Sequence, residues 1–262
     1  MPDISLPAAL AGADLGAGRN AEQSANEFRV GRVLERAAAV LSRNFVPFLI
    51  VSAIAAAPSQ LGSLLGTGGA GPQPTSQYAT GLGLVIGWLF SIVSQAIVIY
   101  GASSDLRGQR VDLAESFKMS LQRFLPLLAV TIVVGVLTGL AAVAFVVPGV
   151  IVLIMLYVAA PVCLIEQKKI WASIGRSAEL TKGHRWKIFG LVLLLALAGA
   201  VLGGVVGGAL GVLKNPAITF VGMTLVNAAA AALGAVAMAV AHHDLRVAKE
   251  GIDVEYVAAV FA

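Results

Sequence analysis

The chain has 262 residues, of which 58% are apolar and only 12% charged, with a formal net charge of +4 and a mean hydropathy of +0.88. A water-facing domain carries a charged share of about 25%, so a soluble globular protein is excluded, and the apolar content excludes disorder over most of the chain. A single cysteine excludes an internal disulfide framework.

Residues 1–23, rich in Ala and Gly, read as a mobile cytoplasmic tail. They lack the basic stretch and apolar core of a signal peptide. From 24 the chain reads as a membrane domain. Ser24 and Glu27 fit a capping box, and the segment to Arg43 is amphipathic: Val30, Val33, Leu34, Ala37 and Leu41 share one helical face, with Arg29, Arg32, Arg36 and Arg43 on another. The next 61 residues, up to Asp105, contain no Asp, Glu, Lys or Arg. A membrane crossing needs about 20 helical residues, so two spans fit here, at 45–66 and 80–102, around a Gly/Pro/Ser-rich loop.

A second amphipathic segment runs from Asp112 to Arg123. Asp112 and Glu115 give a cap signal, and Leu113, Phe117, Leu121 and Phe124 form a stripe. Another 42 uncharged residues follow, room for spans at 124–146 and 149–165 with Pro148-Gly149 as the turn. A third amphipathic segment, Lys169 to Lys182, stops at Gly183. Uncharged stretches of 26 and 29 residues then give spans at 187–213 and 216–241. The membrane domain closes at 246, and 247–262 reads as a cytoplasmic tail. The expected fold is all-α, with six transmembrane helices and three cytoplasmic amphipathic helices lying at the interface.

The connecting segments set the orientation. Of the 18 basic residues, 17 lie before span one, between spans two and three, between spans four and five, or after span six; the opposite loops hold only Lys214. All 14 acidic residues fall on the basic side. The positive-inside rule makes that side, with both termini, cytoplasmic, and the inner (plasma) membrane the expected location.

Each pair of spans follows an amphipathic segment, and details recur. Phe45-Val46-Pro47 and Phe124-Leu125-Pro126 open spans, with Trp186 in the same place in the third unit. Asp105-Leu106-Arg107 and Asp244-Leu245-Arg246 close units one and three. Three helix-hairpin repeats account for this pattern, as does an ordinary alternation of amphipathic loops and spans.

The spans contain no charged residue, which argues against proton relays and voltage sensors. Gln60, Gln95 and Asn227 are candidates to line a path for a neutral solute, or to hydrogen-bond between helices. Gly199, Gly203, Gly207 and Gly211 recur at four-residue spacing, a stripe for helix packing or for a homo-oligomer. Cys163 reads as a small buried apolar residue. His242-His243-Asp244 and Glu166 are the only candidates for chemistry; no metal-binding spacing, cofactor motif or phosphate-cradling loop accompanies them, so no catalytic, metal or cofactor site and no enzyme activity is expected. Between spans four and five, Lys168, Lys169, Arg176, Lys182 and Arg185, with Trp171 and Trp186, suit contact with anionic lipid headgroups or a membrane partner protein. No nucleic-acid motif accompanies the charge.

From Val147 to Gly190, the order Pro148-Gly149, Pro161-Val162, Glu166, Ala172, Arg176-Ser177, Glu179-Leu180, Lys182-Gly183 and Arg185-Trp186 resembles a group of bacterial six-span membrane proteins. That group includes the membrane domain attached to some glycerophosphodiester phosphodiesterases. Asp244-Leu245-Arg246 with Lys249-Glu250-Gly251 is similar to its C-terminal pattern. The resemblance implies an inner-membrane bundle. In the fused members a separate soluble barrel carries the chemistry, so the resemblance transfers no catalytic residue; it marks Glu166, Arg176 and Ser177 for attention. The functional expectation is a non-catalytic scaffold or accessory factor whose basic face engages lipid or a partner. The alternative is a passive carrier or channel for a neutral or amphiphilic solute.

Overall fold

The computed structural model describes residues 28–67 and 74–250, excluding the side chains of 60–80 and 216. The expected tail at 1–23, the Ser24–Glu27 cap, the side chain of Gln60 and the tail beyond 250 lie outside the described residues. Those described form helices α1 (Val30–Arg43), α2 (Phe45–Thr67), α3 (Pro74–Leu106), α4 (Leu113–Gln122), α5 (Phe124–Ala144), α6 (Val146–Met155), α7 (Ala159–Ile165), α8 (Ile170–Thr181), α9 (Arg185–Val212) and α10 (Pro216–Glu250). Among them there is no strand.

Five runs are long and apolar enough to cross a membrane: Gly81–Leu106, Phe124–Ala144, Val146–Ile165, Arg185–Val212 and Ala217–Glu250. The count reaches six if α1 and α2, which meet at 89°, form one bent span. The protein is therefore all-helical among its described residues and built for a membrane.

α10 is the centre of the bundle. It packs against α1, α2, α3 and α9. Its small side chains Ala228, Ala232, Ala235, Val236, Ala239 and Val240 are fully buried. α2 and α3 form a hairpin that approaches to backbone contact. A Cβ on Gly87 would lie 2.8 Å from Ser59 Cβ and 3.0 Å from Ser59 N, so only glycine fits. α5 and α9, by contrast, are mostly unburied and expose Leu140, Val143, Val201 and Val205. So wide an apolar surface is stable facing lipid tails and not facing water.

The turn between α5 and α6 differs from expectation. Pro148 and Gly149 belong to the first turn of α6, and the reversal is made by Phe145 alone, with extended dihedrals of −159° and 144°. Proline is tolerated in the first turn, where its missing N–H has no helical acceptor to lose. Gly149 is needed for a different reason: a Cβ there would sit 2.7 Å from Ala142 Cβ. The run is broken again between α6 and α7. There Ala159 N–H turns to Leu156 O, 3.0 Å away, which frees the carbonyl of Met155. Ser177 and Thr181 on α8 donate their hydroxyls to that carbonyl at 2.9 and 3.3 Å.

The three amphipathic helices bury different faces. α1 places its apolar residues Val33, Ala37 and Val40 in the protein core. α4 does the reverse: Ser116 and Ser120 face inward, while Phe117 and Leu121 are exposed. α8 also turns small polar residues, Ser173, Ser177 and Thr181, inward and leaves Trp171 exposed. Asp112 caps α4 as its spacing suggests, accepting from Ala114 N at 2.8 Å and Glu115 N at 3.2 Å. Gly183 ends α8 with φ of +89°, a conformation glycine adopts without strain. α10 continues through 247–250.

Candidate functional site

Side-chain contacts gather the basic segments at one end of the bundle. Each returning helix closes on an acid. At the end of α3, Asp105 accepts from Arg43 at 2.6 Å and from Asn44 at 3.0 Å, which pins the α1–α2 bend. Near the end of α10, Asp244 accepts from Arg36 of α1 at 2.6 Å. The two Asp-Leu-Arg motifs thus serve one purpose: their aspartates hold the same amphipathic helix.

After α7, Glu166 is the hub. Its carboxylate lies 3.1 Å from His242 Nε2, 3.1 Å from Lys168 Nζ and 3.4 Å from Arg176 Nε. Arg176 continues the network to Glu250, which also accepts from Arg246 at 3.3 Å. Beside it, Arg123 donates to Gln167 Oε1 at 2.7 Å and ties the start of α5 to the end of α7. Gln167 has φ of +53°, which turns the chain sharply away from α7. Burial pushes the Glu166 carboxyl up. Hydrogen bonds from His242 and Lys168, then the charges of His242 and Arg176, outweigh burial and hold it at about 2.

Glu166 and the His242 region are separate candidates in the sequence; the structure joins them across 76 residues. The His242 side chain is 3% exposed and that of Glu166 10%. The nearby hydroxyls of Ser173 and Ser177 donate to backbone carbonyls, and Cys163 is fully buried. No group of three or more His, Cys, Asp or Glu capable of holding a metal occurs among the described residues.

The expected lipid-contact residues divide into two sets. Lys168 and Arg176 are held inward by Glu166. Lys169 and Lys182 are exposed and form no ion pair among the described residues. Trp171 and Trp186 are 74% and 85% exposed, and Arg185 is half-buried. The glycine stripe lies on the outer helix α9. A Cβ at Gly199, Gly203 or Gly211 would meet nothing within 4 Å, and one at Gly207 would touch Met223 at 3.5 Å.

Gln95 and Asn227 come together at a cavity of about 470 Å³ between α2, α3, α9 and α10, with Ser52, Ser94 and Tyr157 also on its wall. Spacing along the sequence does not show that these residues share a cavity wall. No protein-family model matches the chain, and neither a curated protein nor a solved structure matches it.

Proposed function

We propose that the protein is a non-catalytic, six-span inner-membrane protein whose cytoplasmic basic end engages anionic lipid headgroups. In this reading α2, α3, α5, α6–α7, α9 and α10 are the spans, grouped as three hairpin units that each follow an amphipathic helix. Both termini share the cytoplasmic face with the four basic segments. The reading agrees with the resemblance to bacterial six-span membrane proteins.

The division among the cations carries the functional part. The acids at the helix ends consume Arg36, Arg43, Lys168 and Arg176. Lys169 and Lys182 stay exposed at the two ends of α8, next to exposed indoles. Indoles favour the headgroup level, and each cation near an anionic leaflet contributes about 1 kcal/mol. The exposed apolar side chains of α4, Phe117 and Leu121, suit the same interface. The network around Glu166 then serves to hold this surface rigid.

Native mass spectrometry of protein released from anionic vesicles tests the reading. Wild type should retain phosphatidylglycerol adducts. The double variant Lys169→Gln/Lys182→Gln should bind about 30-fold more weakly, as expected for about 2 kcal/mol. Equal adduct populations in the two proteins would refute it.

A further inference from the structure

The cavity lies far from the charged end. Ser52 is seven residues into α2, Gln95 ten residues before Asp105, and Asn227 fifteen before His242. At a rise of about 1.5 Å per residue these positions lie roughly 10 to 22 Å below the charged end, within a hydrocarbon core about 30 Å thick. Polar groups at that depth are expensive unless something satisfies them.

Part of this demand is met within the protein. Ser59 donates to Ala56 O at 2.8 Å, Ser91 to Trp88 O at 2.7 Å, and Ser94 lies 3.5 Å from Ser52 Oγ. With their protons committed, these hydroxyls offer lone pairs to the cavity. The carboxamides of Gln95 and Asn227 form no hydrogen bond among the described residues. They offer N–H donors and carbonyl acceptors on opposing helices, α3 and α10. Among the described residues no Asp, Glu, Lys, Arg or His lines the cavity, so an ionic group would enter without a counter-charge from them. The rest of the wall is apolar or small, including Val98, Val192, Leu195 and Met238.

We propose that this cavity is a binding site for an uncharged hydroxyl-bearing group, seated between the Gln95 and Asn227 carboxamides. A hydroxyl both donates and accepts, which matches serine lone pairs on one side and amide N–H groups on the other. Two sources present this chemistry: the headgroup of a neutral glycerolipid arriving from the bilayer, and a small polyol arriving from water. The inference does not depend on how the basic end is used.

The test follows alkylation of Ala231→Cys, a cavity-wall position, by N-ethylmaleimide in the full-length protein reconstituted in phosphatidylcholine vesicles. Cys163 is fully buried and gives no competing signal. Dioleoylglycerol should slow alkylation, and its methyl ether, which lacks the hydroxyl proton, should be about two- to tenfold less effective, as is Gln95→Leu in weakening the protection. Slowing by glycerol in the buffer and not by dioleoylglycerol assigns the site to a soluble polyol. A second variant keeps the proposal open to refutation if Gln95→Leu fails to fold. A Cβ on Gly234, also on the cavity wall, meets nothing within 4 Å, so a side chain can start into the space there, and Gly234→Leu should abolish all protection. The proposal is overturned if neither dioleoylglycerol nor glycerol protects, if the methyl ether equals dioleoylglycerol, or if Ala231→Cys is not alkylated at all.

Discussion

Replacing Glu166 by leucine keeps most of the side-chain volume and removes the charge on which Lys168, Arg176 and His242 converge. Lys168, Arg176 and His242 each lose one contact, and they are not equal, because Arg176 keeps Glu250. Lys168 is 38% exposed, so water takes over its solvation and its share is at most about 1 kcal/mol. Arg176 at 22% exposed and His242 at 3% cannot be rehydrated so easily. Leaving the buried His242 ring nitrogen without its partner costs about 1–3 kcal/mol. For a chain of this size that is a fall of about 2–12 °C in melting temperature. The assay is thermal unfolding in mild detergent, followed by far-ultraviolet circular dichroism, with Lys168→Gln as the comparison. Lys168→Gln should shift the midpoint by less than about 4 °C. If Glu166→Leu melts no lower than Lys168→Gln, the hub does not hold the bundle end together. Acid gives an independent check. Because the folded carboxyl is held at about 2, below its unfolded value, its contribution is complete at neutral pH. It is lost as pH falls from the usual carboxylate range through about 2. The gap between wild type and Glu166→Leu should therefore narrow over that window.

Two further perturbations have opposite signs on the same chemistry. Gly87→Ala should lower stability, because its Cβ meets Ser59 backbone at 3.0 Å, whereas Gly135→Ala, with nothing within 4 Å, should raise it by up to about 1 kcal/mol through helix propensity; the same melts measure both. Ser177→Ala combined with Thr181→Val removes both donors to the Met155 carbonyl. It should cost about 1–3 kcal/mol, and an unchanged midpoint would mean that this carbonyl has another partner.

Much of this architecture was legible because lipid imposes a simple rule: uncharged stretches of sufficient length must be helical. The start of α5 at Phe124 and the ends near Ile165 and Val212 fall within a residue or two of the charge boundaries. The exceptions have physical causes. Pro148-Gly149 carries the composition of a turn, but a proline costs little in a first helical turn, and Gly149 answers to Ala142 and not to the reversal. Amphipathic spacing marks a face without saying what covers it. It could not distinguish α1, which packs Val33 and Ala37 on protein, from α4, which exposes Phe117. Glycine spacing has the same limit, since the regular α9 stripe meets almost nothing, whereas Gly87 on α3 meets the Ser59 backbone. The Glu166–His242 contact and the cavity depend on which spans are neighbours, and that is written in side-chain fit across helices, not in any local pattern.

Sided labelling of single cysteines places the two ends of the bundle relative to the membrane. Gly175→Cys lies exposed on α8 at the charged end, and Phe145→Cys lies exposed at the tip of the α5–α6 hairpin. In intact spheroplasts and inverted vesicles, an impermeant maleimide should reach Gly175→Cys only from the cytoplasmic side and Phe145→Cys only from the opposite side. Labelling of both from one side would contradict the six-span bundle with a single basic face.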